Sequence, residues 1–167
     1  MTPTLRRLFH LPSQLYRWNC GWVLGRRFLL LTHTGRRSGL RHHTVLEVMD
    51  DRRATGELIV MSAFGRDAGW LRNIQATPRF TITIGSQSFP ACFRQLEAAE
   101  AIDVVAAYER RNRFAAPVIR AVLSRLLGWQ YDGSAQARSR LVEQLPLIAF
   151  RAAPPEPSSP HPVPDPG

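Results

Sequence analysis

The chain has 167 residues, a length typical of one ordinary domain, and 44% of them are apolar, which excludes an intrinsically disordered chain. Its 22 basic residues are all Arg and outnumber 13 acidic residues, so the formal net charge is +9. No apolar run reaches the ~20 residues that a membrane-spanning helix needs, and the N-terminus lacks the pattern of a signal peptide. These features predict a cytoplasmic protein.

The positive charge is concentrated at the start of the chain. Residues 1–46 contain eight Arg and no acid, and Glu47 is the first carboxylate. Such an electropositive end attracts a polyanion, which is a phosphorylated cofactor, a nucleic acid or an anionic membrane face. Because the sequence contains no motif typical of nucleic-acid recognition, we expect no nucleic-acid partner.

Residues 1–27 have the pattern of a basic amphipathic arm, in which Leu8, Phe9 and Trp18 alternate with arginines. Two interpretations stay open: the arm covers the rest of the domain, or it makes peripheral contact with an anionic membrane. At the other end, residues 152–167 include seven prolines, which predicts a Pro-rich disordered tail.

Between the arm and the tail, hydrophobic alternation and turn residues predict mainly strands. Arg79 to Ile84 alternates clearly, Gly85 and Ser86 suit a hairpin turn, and Pro90 indicates an edge position or a bulge. A short helix is expected at Gly69 to Ala76, before Thr77 and Pro78. The predicted strands are Phe28–His33, His42–Met49, Glu57–Ala63, Arg79–Ile84, Gln87–Leu96 and Leu145–Arg151.

Two helices are expected after the fifth strand. The first covers Ala98 to Arg113, and the second begins near Ala116 and ends at Gly128. Antiparallel strands followed by helices predict an α+β fold with a barrel-like sheet over residues 28–151. Without a βαβ alternation or a GxGxxG motif, a Rossmann domain is not expected.

The turn Thr34–Gly39 has the composition of an anion-binding loop. Arg36, Arg37 and Ser38 donate hydrogen bonds, and the flanking glycines let backbone amides approach a ligand. His42 and Thr44, on the following strand, add donors. An ordinary basic turn is the alternative interpretation.

A second group of residues surrounds the start of the short helix. Met61, Ser62 and Ala63 end a strand with small residues beside which a flat ring can lie, and a helix N-terminus attracts anions. Gly69, Trp70 and Asn73 follow, although Trp70 also suits a core position.

Three histidines, His33, His42 and His43, raise the question of a metal site. His42 and His43 are neighbours on a strand and therefore point to opposite faces. No Cys or carboxylate lies nearby at the spacing of metal ligands. We therefore expect no metal.

The motifs Leu-Leu-Leu-Thr-His-Thr-Gly-Arg-Arg-Ser-Gly, Met-Ser-Ala-Phe-Gly and Trp-Leu-Arg-Asn-Ile-Gln-Ala-Thr-Pro follow one another between Phe28 and Phe93. This order resembles the deazaflavin-dependent nitroreductase family. The resemblance implies a mostly antiparallel split β-barrel with peripheral helices, related to the FMN-binding flavoreductases, and coenzyme F-420 as the cofactor.

By this resemblance, Arg36, Arg37 and Ser38 hold the phosphate and anionic tail of F-420, and His42 and Thr44 contribute from the next strand. The resemblance further implies that Met61, Ser62, Ala63 and the segment from Gly69 through Trp70 to Asn73 line the deazaflavin.

The expected reaction is hydride transfer from reduced F-420 to a small electron-poor acceptor, namely a quinone, an enone or a nitroaromatic. No catalytic side chain is assigned; Tyr108 and water are candidate proton donors. The alternatives are FMN as the cofactor on the same barrel, or a protein without enzymatic activity that binds a lipid or cofactor. A homodimer is expected by analogy with related barrels.

Overall fold

The computed structural model describes residues 26–154, in which six antiparallel strands form a closed barrel. Around the barrel the strands follow the order β1-β2-β3-β6-β5-β4, and β4 pairs back with β1. The strands are β1 (Phe28–Thr34), β2 (Arg41–Arg52), β3 (Glu57–Met61), β4 (Phe80–Ile84), β5 (Gln87–Gln95) and β6 (Leu147–Ala152). This architecture confirms the predicted α+β split barrel. The predicted arm and tail lie almost wholly outside the described residues.

Alternating side chains fill the barrel. On β1, Leu29, Leu31 and His33 are buried while their neighbours are half-buried, and Phe80, Ile82 and Ile84 repeat the pattern on β4. In a strand, successive side chains point to opposite faces, so this period of two selects the inward face. His33 is therefore a polar residue on the inward face of β1.

Within residues 26–154, four α-helices surround the barrel: α1 (Gly69–Ala76), α2 (Ala98–Arg111), α3 (Ala116–Leu127) and α4 (Ala135–Gln144). From α1, Trp70, Leu71 and Ile74 join the barrel core. Helices α2 and α4 pack over a second core, which Ile59 of β3 and Leu147 of β6 share. None of these helices is long and apolar enough to cross a membrane.

The structure shifts several predicted boundaries. The third strand ends at Met61, because Ser62 enters a turn in which its carbonyl accepts from the Gly65 amide at 2.9 Å. The last strand begins at Leu147, because the Leu145 amide still donates to the carbonyl of Leu141 at the end of α4. Helix α2 ends at Arg111, and a 3₁₀ turn follows.

Helix α4 has no counterpart among the elements expected from the sequence. It is a polar helix with three buried residues, Ala137, Leu141 and Val142, and its first turn is capped by Ser134, whose hydroxyl accepts from the Ala137 amide at 3.1 Å. The sparse apolar spacing explains why the sequence does not indicate it.

Candidate functional site

The segment Thr34–Gly39, called here the arginine loop, is a tight turn between β1 and β2. The Gly35 amide donates to Leu40 O and the Gly39 amide donates to Gly35 O, both at 2.8 Å. Gly39 has a φ of +66°, which favours glycine. A Cβ on Gly35 would lie 2.6 Å from Nε2 of His42 and 2.7 Å from Oγ of Ser38. A side chain at Gly39 would therefore be strained, and one at Gly35 would displace the side chains of His42 and Ser38.

Asn73 of α1 ties the arginine loop to the barrel. Its Oδ1 accepts from the Arg36 backbone amide at 3.2 Å and from Nη1 of Arg36 at 2.9 Å. Its Nδ2 lies 3.2 Å from Nδ1 of His33, inside the barrel. Because Asn73 is buried, this amide fixes the position of Arg36 relative to β1.

His33 is held as a neutral imidazole by these contacts. Nδ2 of Asn73 can only donate, so Nδ1 of His33 accepts and its Nε2 carries the proton, which points to Oγ1 of Thr44 at 3.3 Å. Burial lowers the pKa of His33, and the nearby charges of His42 and His43 lower it further. The ring of His42 stacks on His33 with centroids 5.7 Å apart.

The arginine loop and the start of β2 carry positive charge that no carboxylate balances. Among residues 26–154, no acidic side chain pairs with Arg36, Arg37 or Arg41. Arginines elsewhere do pair with acids, namely Arg26 with Asp51, Arg27 with Glu47, Arg52 and Arg94 with Glu57 and Glu100, Arg111 with Asp50, and Arg138 with Glu109. The arginine loop is therefore a region of the described chain in which no carboxylate balances the positive charge.

An open cleft of about 760 Å³ adjoins the loop. Its lining includes His33, Thr34 and Arg41 beside the loop, and Pro90 and Ala153 farther away. This volume lies within the range of ligand pockets, roughly 300–1,000 Å³. The arginine loop borders this cleft only at Thr34, and none of the residues predicted from the sequence to bind the cofactor lines it.

The other residues predicted for the site divide into buried and accessible positions. Ser62 is fully buried and its hydroxyl donates to the carbonyl of Gly65 at 2.7 Å. Trp70 is buried and packs against Phe150, 6.2 Å between ring centroids, so the core interpretation of Trp70 is confirmed. Met61 and Ala63 are half-buried, and Gly69 is exposed at the start of α1.

Tyr108 of α2 lies against the outer face of β2, where its hydroxyl donates to Glu47 at 2.8 Å. Burial, followed by the charge of Glu47, raises the pKa of Tyr108 to about 12. Arg27 completes the group through its own bond to Glu47, at 3.2 Å. The Tyr108 proton is thus committed to a carboxylate that also accepts from an arginine.

The family model described as F420H(2)-dependent quinone reductase matches residues 13–116, more than half of the chain. The chain belongs to this family. The protein is accordingly an oxidoreductase that depends on reduced coenzyme F-420, which confirms the predicted cofactor and reaction class. None of the curated proteins compared matches it.

The solved structures that are similar to this chain include the following three. An F420-H2 dependent reductase (FDR-A) is 18% identical with a TM-score of 0.46, and the match covers 76% of this chain and 96% of that one. HutZ from Vibrio cholerae, a heme storage protein, is 14% identical with a TM-score of 0.49, over 84% and 91%. An FMN binding protein from Nostoc punctiforme is 12% identical with a TM-score of 0.42, over 91% and 81%. At such identities no site residue is transferred from these chains.

His33 is the residue of this site that sequence reasoning missed. The sequence suggests it only as a metal ligand, although it follows Leu29 and Leu31 at the spacing of an inward-facing residue. That alternation is the available signal. The contact with Asn73, 40 positions away, leaves no signal in the sequence.

Proposed function

We propose that the arginine loop of this F-420-dependent protein binds the phosphorylated, anionic end of the cofactor. The observation that carries the proposal is the cluster formed by Arg36, Arg37 and Arg41, which has no carboxylate partner among the described residues. Asn73 holds Arg36 in place through its backbone amide and its guanidinium. Hydrogen bonds from arginine to phosphate are charge-assisted, and a preorganised loop loses little entropy on binding. Ser38, His42 and Thr44 add hydroxyl and imidazole donors.

The segment from Met61 to Asn73 is proposed to lie along the ring of the cofactor. Met61, Ala63 and Gly69 are accessible enough to contact a ligand, whereas Ser62 and Trp70 are buried and would support these positions from within the barrel. Asn73 contributes to both parts of the site, because it is on this segment and bonds the arginine loop.

When bound, reduced F-420 supplies a hydride to a quinone. A proton is also needed to form the hydroquinone. The chain's own residues bind, orient and shield the reactants. Tyr108 lies against the outer face of β2 and its hydroxyl donates to Glu47, so its proton is held by that carboxylate. We therefore propose that solvent supplies the proton and that Tyr108 acts by packing α2 on β2.

Kinetics of quinone reduction test the role of the loop. Arg37→Ala is expected to raise the KM for reduced F-420 about tenfold, the loss of roughly one charge-assisted hydrogen bond, with little change in kcat. The control is Arg53→Ala, because Arg53 is also an exposed arginine in a turn, 3.7 Å from Asp51. An Arg37→Ala enzyme with the KM of the control would contradict the proposal.

A further inference from the structure

Helix α3 exposes an apolar face. Eight of its 12 residues are apolar, yet none is buried. Leu123 and Leu127 pack partly against the second core, whereas Val118 is 66% exposed and Val122 is 39% exposed. Phe114, in the turn before the helix, is 88% exposed. Exposed contiguous apolar surface of this kind marks a site of interaction.

The segment that carries this face is basic. Residues 110–131 contain five Arg and no acid, and all five arginines are exposed. Two of them lie near acids of other segments: Arg111 pairs with Asp50, and Arg120 lies against Gly133, next to Asp132. The guanidinium of Arg113 stands 4.8 Å from the centre of the Phe114 ring, so the most exposed apolar side chain carries its own cation.

We propose that this α3 face, formed by Phe114, Val118 and Val122 with their flanking arginines, docks on an anionic phospholipid surface. Interfacial helices combine an apolar side that enters the acyl boundary with Lys or Arg that meet the anionic headgroups. Phe114 and Arg113 place both features side by side on the exposed surface. A quinone dissolved in lipid would then be delivered to the side of the enzyme that touches the membrane.

Charge favours an anionic membrane over two other candidate partners, the N-terminal arm and a second copy of the chain. Residues 1–25 contain three Arg and no acid, so the arm would bring like charge to the α3 face. A second copy of the chain would bring the same arginines to the interface. Like charges opposed across an interface disfavour association, whereas anionic headgroups neutralise them.

The test is flotation of the full-length protein with phosphatidylcholine vesicles, with and without phosphatidylglycerol, in the absence of cofactor. We expect binding to the anionic vesicles that is at least tenfold tighter than to the neutral ones and that weakens with salt. Val118→Asp and, separately, Phe114→Ser should each weaken it about tenfold, because each removes an inserting apolar group. Ala99→Asp, which adds the same charge at an exposed position of α2 outside the α3 face and the arginine loop, is the control and should bind as the wild type does.

Three results would overturn the inference. The first is that the wild type does not float with anionic vesicles. The second is that both α3-face variants float as well as the control, which would assign binding to another part of the chain. The third is that light scattering shows Val118→Asp dissociating a dimer, which would make the face a contact between copies. Because no cofactor is present, failure here leaves the F-420 proposal intact.

Discussion

Asn73 uses both ends of its side-chain amide, and this one residue couples the arginine loop to the barrel interior. The oxygen accepts two bonds from Arg36 and the nitrogen donates to His33. A buried polar group that loses its partner costs about 1–3 kcal/mol of stability. The geometry therefore makes Asn73 important for folding as well as for the loop.

Replacing Asn73 by alanine should lower the free energy of unfolding by about 1–3 kcal/mol, since Nδ1 of His33 would remain buried without a donor. The affinity for F-420 should fall as well, because the backbone of Arg36 would lose its anchor. Urea denaturation and a cofactor titration measure the two effects. Gln75→Ala, at an exposed position of the same helix, should change neither quantity appreciably.

His33 makes stability depend on pH. Its folded-state pKa is lowered, chiefly by burial, so between that pKa and the unfolded value of about 6.5 the unfolded chain binds more protons. Stability therefore rises with pH through this interval and is lost as pH falls below about 6.5. Thermal melts from about pH 7.5 to about pH 5 should show this loss.

The comparison variant is His33→Gln, which keeps an acceptor for Asn73 but does not titrate. Its melting temperature should fall less than that of the wild type over the same acidic interval. An identical pH dependence in both proteins would assign the effect to other groups.

Sequence reasoning could place Arg36, Arg37 and Ser38 in a turn, because a glycine-flanked basic segment is a local signal in a short stretch of chain; their role in binding the cofactor stays a prediction. It could not supply the His33–Asn73 contact, which joins residues 40 positions apart and exists only once α1 packs on β1. Trp70 has two plausible roles in the sequence, and only its packing against Phe150 decides for the core.

At the scale of elements, two turns of the β1–β2–β3 meander rely on glycine in the left-handed region. Gly39 in the arginine loop has a φ of +66° and Gly56 in the next turn has a φ of +69°, and a Cβ at either position would have no neighbouring atom within 4 Å. The two positions therefore impose the same backbone requirement at different places. Only Gly39 belongs to the proposed cofactor site.

Gly39→Ala and Gly56→Ala should each destabilise the fold by about 1 kcal/mol, the usual cost of a left-handed alanine. Only Gly39→Ala should weaken F-420 binding, since it shifts the amides and side chains of the arginine loop. Paired urea and fluorescence titrations separate the two effects. Equal losses of affinity in both variants would mean that general destabilisation, rather than loop shape, controls binding.

Elements with clear periodicity could be predicted from the sequence, whereas elements set by tertiary contacts could not. The alternation of β4 and the Gly85 turn are local, and both occur in the structure. The polar helix α4 is stabilised by packing on α2, a contact that the sequence does not reveal. The same holds for the end of β3, where a turn hydrogen bond to Ser62 stops the strand.

At the scale of the whole molecule, many arginines are paired with acids, whereas those of the arginine loop are not. Acids of β2, β3 and α2 pair with Arg111, Arg94 and Arg52, respectively. The arginine loop, which follows β1, has no carboxylate partner among residues 26–154. In a chain of net charge +9, this loop attracts polyanions over a distance set by salt. The composition indicates the excess charge, but only the fold shows which arginines remain unbalanced.

Barrel closure is the global feature that the sequence indicates only in outline. The predicted strands allow a barrel-like sheet, but β6 inserts between β3 and β5, so the last strand completes a sheet begun by the first. Pairings between strands so far apart in sequence depend on the packed core and leave no local pattern.

The most direct test of the proposed cofactor site is a fluorescence titration of the full-length protein with F-420 and, in parallel, with FMN, at low and at high salt. We expect that F-420 binds more tightly than FMN, that salt weakens this binding, and that Arg36→Ala combined with Arg37→Ala weakens it at least tenfold, on the order of one charge-assisted bond lost. Arg53→Ala should bind as the wild type does. If the double variant binds F-420 as tightly as the wild type, or if FMN alone binds, the proposed site or the cofactor assignment is wrong.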